Sequence, residues 1–231
     1  MKLTKATTKA IKYACLKYHY AKRIPVVRDA YSVFNDNGEW CGVICYGSGA
    51  GDKIAKHFRL KQGQMCELVR VALNGKQETT SKAVSLSLRL LKKNNPLIKL
   101  IISYADKDQN HYGTIYQATN WLYLGSSDEY SAGFVINGKQ YHRRSASAKL
   151  KGKKLNLANL RKYLDKNAEE YISKGKRRYL QVFDKTLLNK YKKLSKPYPK
   201  KNCDSGVNGS TSRIHREGRG SIPTESLYHY A

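Results

Sequence analysis

Residues 103–125 read SYADKDQNHYGTIYQATNWLYLG, and they follow an apolar run from Leu97 to Ile102. A run of that length and composition is a buried strand, and it ends in an Asp/His/Tyr cluster before an aromatic amphipathic segment begins. Polar chemistry at the end of a strand, followed by a helix, is where α/β enzymes tend to hold their sites. Asp106 falls at the mouth of this strand. There a partly shielded carboxylate suits a base or a metal ligand, although a helix cap or turn residue fits it too. Tyr116, ten residues on, reads either as a site phenol or as a core tyrosine.

Upstream, SKAVSLSLRLLKK (Ser81 to Lys93) predicts a helix with Ala83, Leu86, Leu90 and Leu91 along one face, closed by Pro96. CELVRVAL (Cys66 to Leu73) predicts a strand, with the turn-rich NGKQETT between the two. Two more strands, Ala30 to Phe34 and Trp40 to Tyr46, are joined by Asn35-Asp36-Asn37-Gly38, and the Asn-Gly pair marks a hairpin. At the start, residues 4–18 place Ile11, Cys15 and Tyr18 at helical spacing among lysines. Gly47-Ser48-Gly49-Ala50-Gly51 is a loop whose missing side chains let a ligand come close, or a simple connection. A hairpin followed by strand, helix, strand and helix predicts an α/β fold with a mixed sheet flanked by helices. That order looks like the GNAT acyltransferase fold.

The second half differs in character. Phe134 to Gly138 signals another hairpin, and 156–172 predicts a helix with Leu157, Leu160, Leu164, Ala168 and Tyr171 on one side. Residues 178–183 alternate as a strand, 186–194 look helical, and Lys196-Pro197-Tyr198-Pro199 stops the pattern. The expected division is a catalytic core over 1–138, a basic α+β extension over 139–201 packed on it, and a disordered tail over 202–231, where Gly, Ser, Thr and Asn dominate.

The formal charge is +27 in 231 residues. Between 139 and 201 there are 21 Lys/Arg against 4 Asp/Glu, so most of the excess sits in that extension. Such an imbalance calls for a polyanionic partner, with double-stranded DNA the leading candidate. An acidic membrane is the alternative, but there is no apolar run of about 18 residues to span a bilayer and no signal-peptide core. The expected location is soluble and intracellular. Cys15, Cys41, Cys45, Cys66 and Cys203 form no CxxC pair and read as reduced, small buried side chains. Cys41 and Cys45, four apart on one strand, are expected to share a face.

Several positions carry two readings. Thr80 or Ser81 is placed to cap the following helix, and Lys76 adds charge nearby; the same helix start suits either a bound anion or structure alone. Gln117 and Asn120 match the hydrogen-bonding edge of adenine, while Trp121 and Tyr123 fit base stacking or a buried strand. Arg143, Arg144, Lys153, Lys154, Arg177 and Arg178 belong to charge runs that are usually solvated faces. Here few acids balance them, so a surface tracking phosphates is the better account.

The segment Ser103-Tyr104-Ala105-Asp106, with His111, Gly113 and Tyr116-Gln117-Ala118-Thr119-Asn120, resembles the Mom family of phage DNA-modification proteins. The resemblance runs over roughly residues 10–200 and takes in Glu67 to Leu73, GKRRY from Gly175, and a His-Tyr pair ahead of a basic residue at His19, Tyr20 and Arg23. It implies a GNAT-like enzyme of the host cytoplasm that uses acetyl coenzyme A and converts adenine to N6-carbamoylmethyladenine, shielding phage DNA from restriction. It also implies His19, Tyr20, Asp106 and Tyr116 as catalytic residues and as ligands of iron, a set of one imidazole, one carboxylate and two phenols that suits a hard or borderline metal. The Arg/Gln-x-x-Gly-x-Gly/Ala signature of ordinary GNAT proteins is absent. The rivals are a conventional acetyltransferase and a non-catalytic DNA- or RNA-packaging protein.

Overall fold

A computed structural model describes residues 1–48 and 52–200. Part of the Gly47–Gly51 loop and the whole 202–231 tail lie outside the described residues. The mixed α/β architecture expected from the sequence is present: a seven-stranded sheet in the order β1-β2-β3-β4-β5-β10-β6, flanked by helices, with a separate three-stranded sheet β8-β7-β9. The strands of the first half are β1 (Lys2–Lys5), β2 (Asp29–Phe34), β3 (Trp40–Gly47), β4 (Met65–Leu73) and β5 (Leu100–Asp106). They run antiparallel except for β4 and β5, which pair in parallel.

One face of the sheet is covered by α3 (Thr80–Asn94) and the short α4 (Thr114–Gln117), and the other by α1 (Thr8–Lys17), α2 (Asp52–His57) and α7 (Lys185–Leu194). α3 buries Ala83, Val84, Ser87, Leu88 and Leu91. Its buried stripe is thus rotated from the expected face, with Leu86 and Leu90 at the margin. A register shift at the Trp40 end of β3 separates the two cysteines expected to share a face: Cys41 packs on the α3 side and Cys45 on the α1 side. Both are fully buried.

Two elements depart from the sequence pattern more strongly. The helix expected over 156–172 is only α6 (Leu157–Tyr163), and Glu169–Ser173 is strand β9. The chain turns where Asp165 accepts the backbone N–H of Asn137 at 2.6 Å and that of Asn167 at 2.9 Å. The aromatic segment likewise keeps only one helical turn, α4, before β6 (Leu122–Ser126). Trp121, just ahead of β6, has no exposed surface and stacks 5.1 Å from Tyr116. Trp121→Ala is expected to lower the unfolding free energy by about 3–5 kcal/mol, read from the urea midpoint at unchanged slope.

Strand β10 (Lys176–Val182) lies between β5 and β6, antiparallel to both. The 139–201 segment therefore does not stand apart from the core, because its strand sits inside the main sheet. The boundary at 138/139 runs through the hairpin of β7 (Tyr130–Ile136) and β8 (Lys139–His142). What projects is an insertion between β6 and β10, made of β7, β8, α5 (Arg143–Lys149), α6 and β9, with its own small core around Phe134, Ile136, Leu150 and Leu160.

Candidate active site

The parallel pairing of β4 with β5 is short: Met65, Cys66 and Glu67 face Leu100, Ile101 and Ile102, and there the register ends. Beyond it the strands part, bridged by Ser103 Oγ, which donates to Leu68 O at 2.8 Å. A gap between parallel strands at their carboxyl ends is a natural ligand crevice. Asp106 closes β5 at this end, as the sequence predicted.

Asp106 Oδ1 accepts the backbone N–H of Asp108 at 2.9 Å, and the backbone carbonyl accepts from His111 N at 3.0 Å. The tight loop after β5 is thus folded around the carboxylate. Tyr20, just past the end of α1, brings its hydroxyl to within 3.4 Å of Asp106 Oδ2. Its ring lies 4.3 Å from that of His19 and meets that of His111 edge-on at 5.3 Å. Residues 86 positions apart in sequence, Tyr20 and Asp106, are therefore brought together. Burial, then the Asp106 charge, raises the Tyr20 phenol above its ordinary value, so it remains a proton donor at neutral pH.

Tyr116 approaches from the other side of the sheet. Leu100, Ile102 and Tyr104 pack toward α2 and α7, so strand alternation directs Asp106 to that face, whereas Tyr116 belongs to the core under α3. Its ring stacks 5.0 Å from Tyr179, and its hydroxyl lies 2.8 Å from Ser103 Oγ, at the gap. Burial pushes this phenol up to about 12, with the Tyr20 phenol and the Glu67 carboxyl adding to the effect against the Ser103 bond. Gly113, which precedes α4 at φ 73°, fits only without a side chain: a Cβ there would stand 2.4 Å from the Tyr179 ring.

Of the four residues implied as iron ligands, Tyr20 meets Asp106 and His19 lies beside Tyr20, while Tyr116 belongs to the core on the other face of β5. His19 Nδ1 accepts the Ala21 backbone N–H at 3.1 Å, which leaves the ring proton on Nε2. A coordinating imidazole normally shows the reverse, donating through the nitrogen that does not bind metal. Burial first, then the charges of Arg70, His111 and Lys22, lowers the His19 pKa to about 4, so the imidazole is neutral at pH 7. Among the described residues, no three His, Cys, Asp or Glu side chains form a metal-binding group.

Other predicted positions have internal partners. Gln117 Nε2 donates to Tyr112 O at 2.9 Å, and Asn120, at φ 58°, occupies a turn position that asparagine tolerates. Arg177 stacks 4.4 Å over the Tyr112 ring and donates to His111 O at 2.8 Å, so it braces the loop after Asp106. Arg178 is half-buried with a buried, unpartnered Nε. Arg143, Arg144, Lys153 and Lys154 are exposed on the insertion, Arg143 bonded to Ser131 and 3.5 Å from Glu170. The cap of α3 is Thr79, whose side chain accepts from Lys82 N at 3.2 Å; Thr80 and Ser81 are the first helical residues. Lys76 lies 3.7 Å from Glu39.

The structure adds Glu67 and Arg70, which the sequence reading passed over. Burial raises the Glu67 carboxyl, against the pull of Lys176 and Arg70. Arg70 Nη1 donates to Val69 O at 2.6 Å and its Nε is buried without a partner. The available signal was two charged residues within an otherwise apolar strand, CELVRVAL. Such side chains, once the strand is buried, mark a site more often than a packing role.

A mixed sheet whose strands β4 and β5 part at their carboxyl ends, with Tyr20 meeting Asp106 there and a basic insertion between β6 and β10, is an α/β fold with polar side chains gathered at a strand end. The chain matches the Mom protein family over residues 1–200 and belongs to that family. It is 27% identical over 195 residues to the methylcarbamoylase Mom of Escherichia phage Mu, spanning 79% of this chain and 76% of that protein. Among solved structures it is similar to a point mutant of the spermidine N-acetyltransferase SpeG of Vibrio cholerae (TM-score 0.42, 11% identity, 79% of this chain and 95% of that one). It is also similar to a Bacillus subtilis acetyltransferase in complex with CoA (TM-score 0.41, 12% identity, 79% and 97%). No described helix is long and apolar enough to cross a membrane.

Proposed function

We propose that the chain is a phage DNA-modification enzyme that places a carbamoylmethyl group on N6 of adenine in double-stranded DNA. The observation that carries this reading is the meeting of Tyr20 with Asp106 at the gap between β4 and β5, in a chain of the Mom family whose relative is named a methylcarbamoylase. The exocyclic amine of adenine is a weak nucleophile, because its lone pair is delocalised into the ring. Forming a nitrogen–carbon bond there requires loss of an N6 proton. In this reading Asp106 at the mouth, or Glu67 at the last pair before the gap, receives it, and Tyr20 and Tyr116, both protonated at neutral pH, are the donors.

The exposed cations of the insertion, Arg143, Arg144, Lys153 and Lys154, supply phosphate contacts that position the duplex without reading its sequence. Acetyl coenzyme A is the donor implied by the family resemblance; the start of α3, the helix that follows β4, suits its pyrophosphate by the partial positive charge of a helix N-terminus. Bonding the donor's methyl carbon to N6 breaks a C–H bond and removes two electrons, redox work that the iron implied by the resemblance would supply, and an ammonia-level nitrogen must displace the thiolate of coenzyme A to complete the amide. A bulky N6 substituent occupies a donor that restriction enzymes read in the major groove, so protection of phage DNA in the host cytoplasm is the role.

The test is nucleoside analysis of DNA from cells expressing the chain. A new deoxyadenosine derivative, heavier by one carbamoylmethyl substituent, is expected. Unmodified DNA with acetylated protein or amine products would favour a conventional acetyltransferase, and unmodified DNA with tight binding alone a packaging protein.

A further inference from the structure

Between α1 and β2 the chain runs from Tyr18 to Arg28 without helix or strand. Both ends of this segment are tied down. Lys22 N donates to His19 O at 3.1 Å beside the candidate site, and Arg28 N donates to Tyr46 O at 2.8 Å. Val26 O lies so close to Gly47 that a Cβ on that glycine would stand 2.6 Å away. Between the ties, Ile24 and Val26 project into solvent at 49% and 85% exposure, and Tyr20 is 47% exposed.

Three features make this segment more than a solvated loop. Pro25 fixes its own φ and stiffens the backbone between the apolar pair, so Ile24 and Val26 are presented to solvent with one residue between them on a constrained chain. Both side chains are β-branched and stiff, losing little freedom when inserted into a stack. The exposed cations Lys22 and Arg23 come immediately before them. An apolar edge flanked by positive charge fits a polyanion with an apolar interior, which duplex DNA provides between its base pairs.

We propose that Ile24-Pro25-Val26 is a wedge that enters the base stack and holds open the step vacated by the adenine delivered to Tyr20 and Asp106. The inference rests on the adenine-modifying reading, because a base inside a duplex hides its reactive amine from any side chain at the mouth of β5. Arg23 grips the adjoining phosphate, with Lys22, whose Nζ also donates to Lys17 O at 2.7 Å, adding charge beside it, and the wedge occupies the space left by the extruded base.

Permanganate oxidises thymines that have lost stacking, so the thymine opposite an extruded adenine reports the event in plasmid DNA of any sequence. With the full chain bound, reactive thymines are expected. In Ile24→Ser/Val26→Ser they should fall about ten-fold or more while affinity changes less than about three-fold, since phosphate contacts dominate binding. The conservative Ile24→Leu/Val26→Leu should keep them. Both pairs should melt like wild type, because the side chains lie in solvent. Reactive thymines persisting in the serine variant would overturn the wedge. So would their absence with wild type from cells whose DNA carries the modified adenine, a result that leaves the function standing. A serine variant that instead turns a dimer into a monomer on sedimentation would reassign the edge to self-association. Wild type giving neither modified adenine nor reactive thymines would remove the functional reading and the wedge with it.

Discussion

Asp106→Ala is expected to reduce modified adenine in expressing cells by about 10²- to 10⁴-fold, the range over which a positioned proton acceptor contributes to a rate. Affinity for duplex DNA at fixed salt should change little, because a carboxylate adds nothing favourable to phosphate contacts. The side chain has two tasks, however: it lies 3.4 Å from the Tyr20 hydroxyl and it accepts the Asp108 N–H that closes the loop. Asp106→Asn separates them. The amide oxygen can still accept from Asp108 and hold the loop, but it cannot take a proton. Loss of modification in both variants, with melting curves near wild type for Asp106→Asn, supports the chemical role. Full activity in Asp106→Asn combined with its loss in Glu67→Gln would move the proton acceptor to Glu67, whose carboxyl is already raised by burial.

How much of this was visible in the chain depends on the range of the interactions involved. Periodicity located β2 to β5, the two Asn-Gly hairpins and α3, because those elements are set by local alternation, turn chemistry and capping. β1 was missed, since Lys2–Lys5 has no apolar alternation and is a strand only by pairing with β2. α6 was drawn too long because Leu164 and Ala168 continue a helical spacing, while the interaction that ends it joins Asp165 to Asn137, 28 residues away. Of the candidate site, the strand end at Asp106 was legible, where an apolar run meets a polar cluster. Its electrostatics were not. Burial raises the Glu67 carboxyl and leaves Arg70 Nε without a hydrogen-bond partner, and both depend on burial that only the assembled sheet creates. Nor could a sequence show that Tyr116 and Asp106 sit on opposite faces of β5, reaching each other's surroundings through the gap beyond Glu67.

Asp108→Ala is expected to detach the basic insertion from the reaction site while the main sheet stays folded. One oxygen of Asp108 accepts from Tyr171 Oη and Ser173 Oγ, both at 2.7 Å, and the other from Lys174 N at 2.8 Å. These partners lie on β9 and the return to β10, whereas Asp108 is two residues beyond Asp106, so a single carboxylate joins the basic insertion to the loop after β5. Hydrogen bonds to a charged acceptor are worth about 1.5–3 kcal/mol each, less here because Asp108 is partly exposed to solvent. Removing all three should raise hydrogen exchange across Tyr130–Ser173 and open it to protease before the core. Modified adenine should fall as the duplex loses its fixed orientation toward Tyr20 and Asp106. Burial alone would raise the Asp108 pKa, but the bonds from Tyr171, Ser173 and Lys174 outweigh it and hold the carboxyl below the usual carboxylate range. The unfolded chain consequently binds more protons as pH falls past about 3.9, and the clamp's contribution, complete above that value, is lost as pH drops through the depressed folded value. Asp108→Asn should show an intermediate effect at neutral pH, and the stability of the insertion should lose that acid dependence. Unchanged exchange across the insertion in Asp108→Ala would mean that the insertion is held by its other contacts, among them the paired backbone of Ser127 and Lys176.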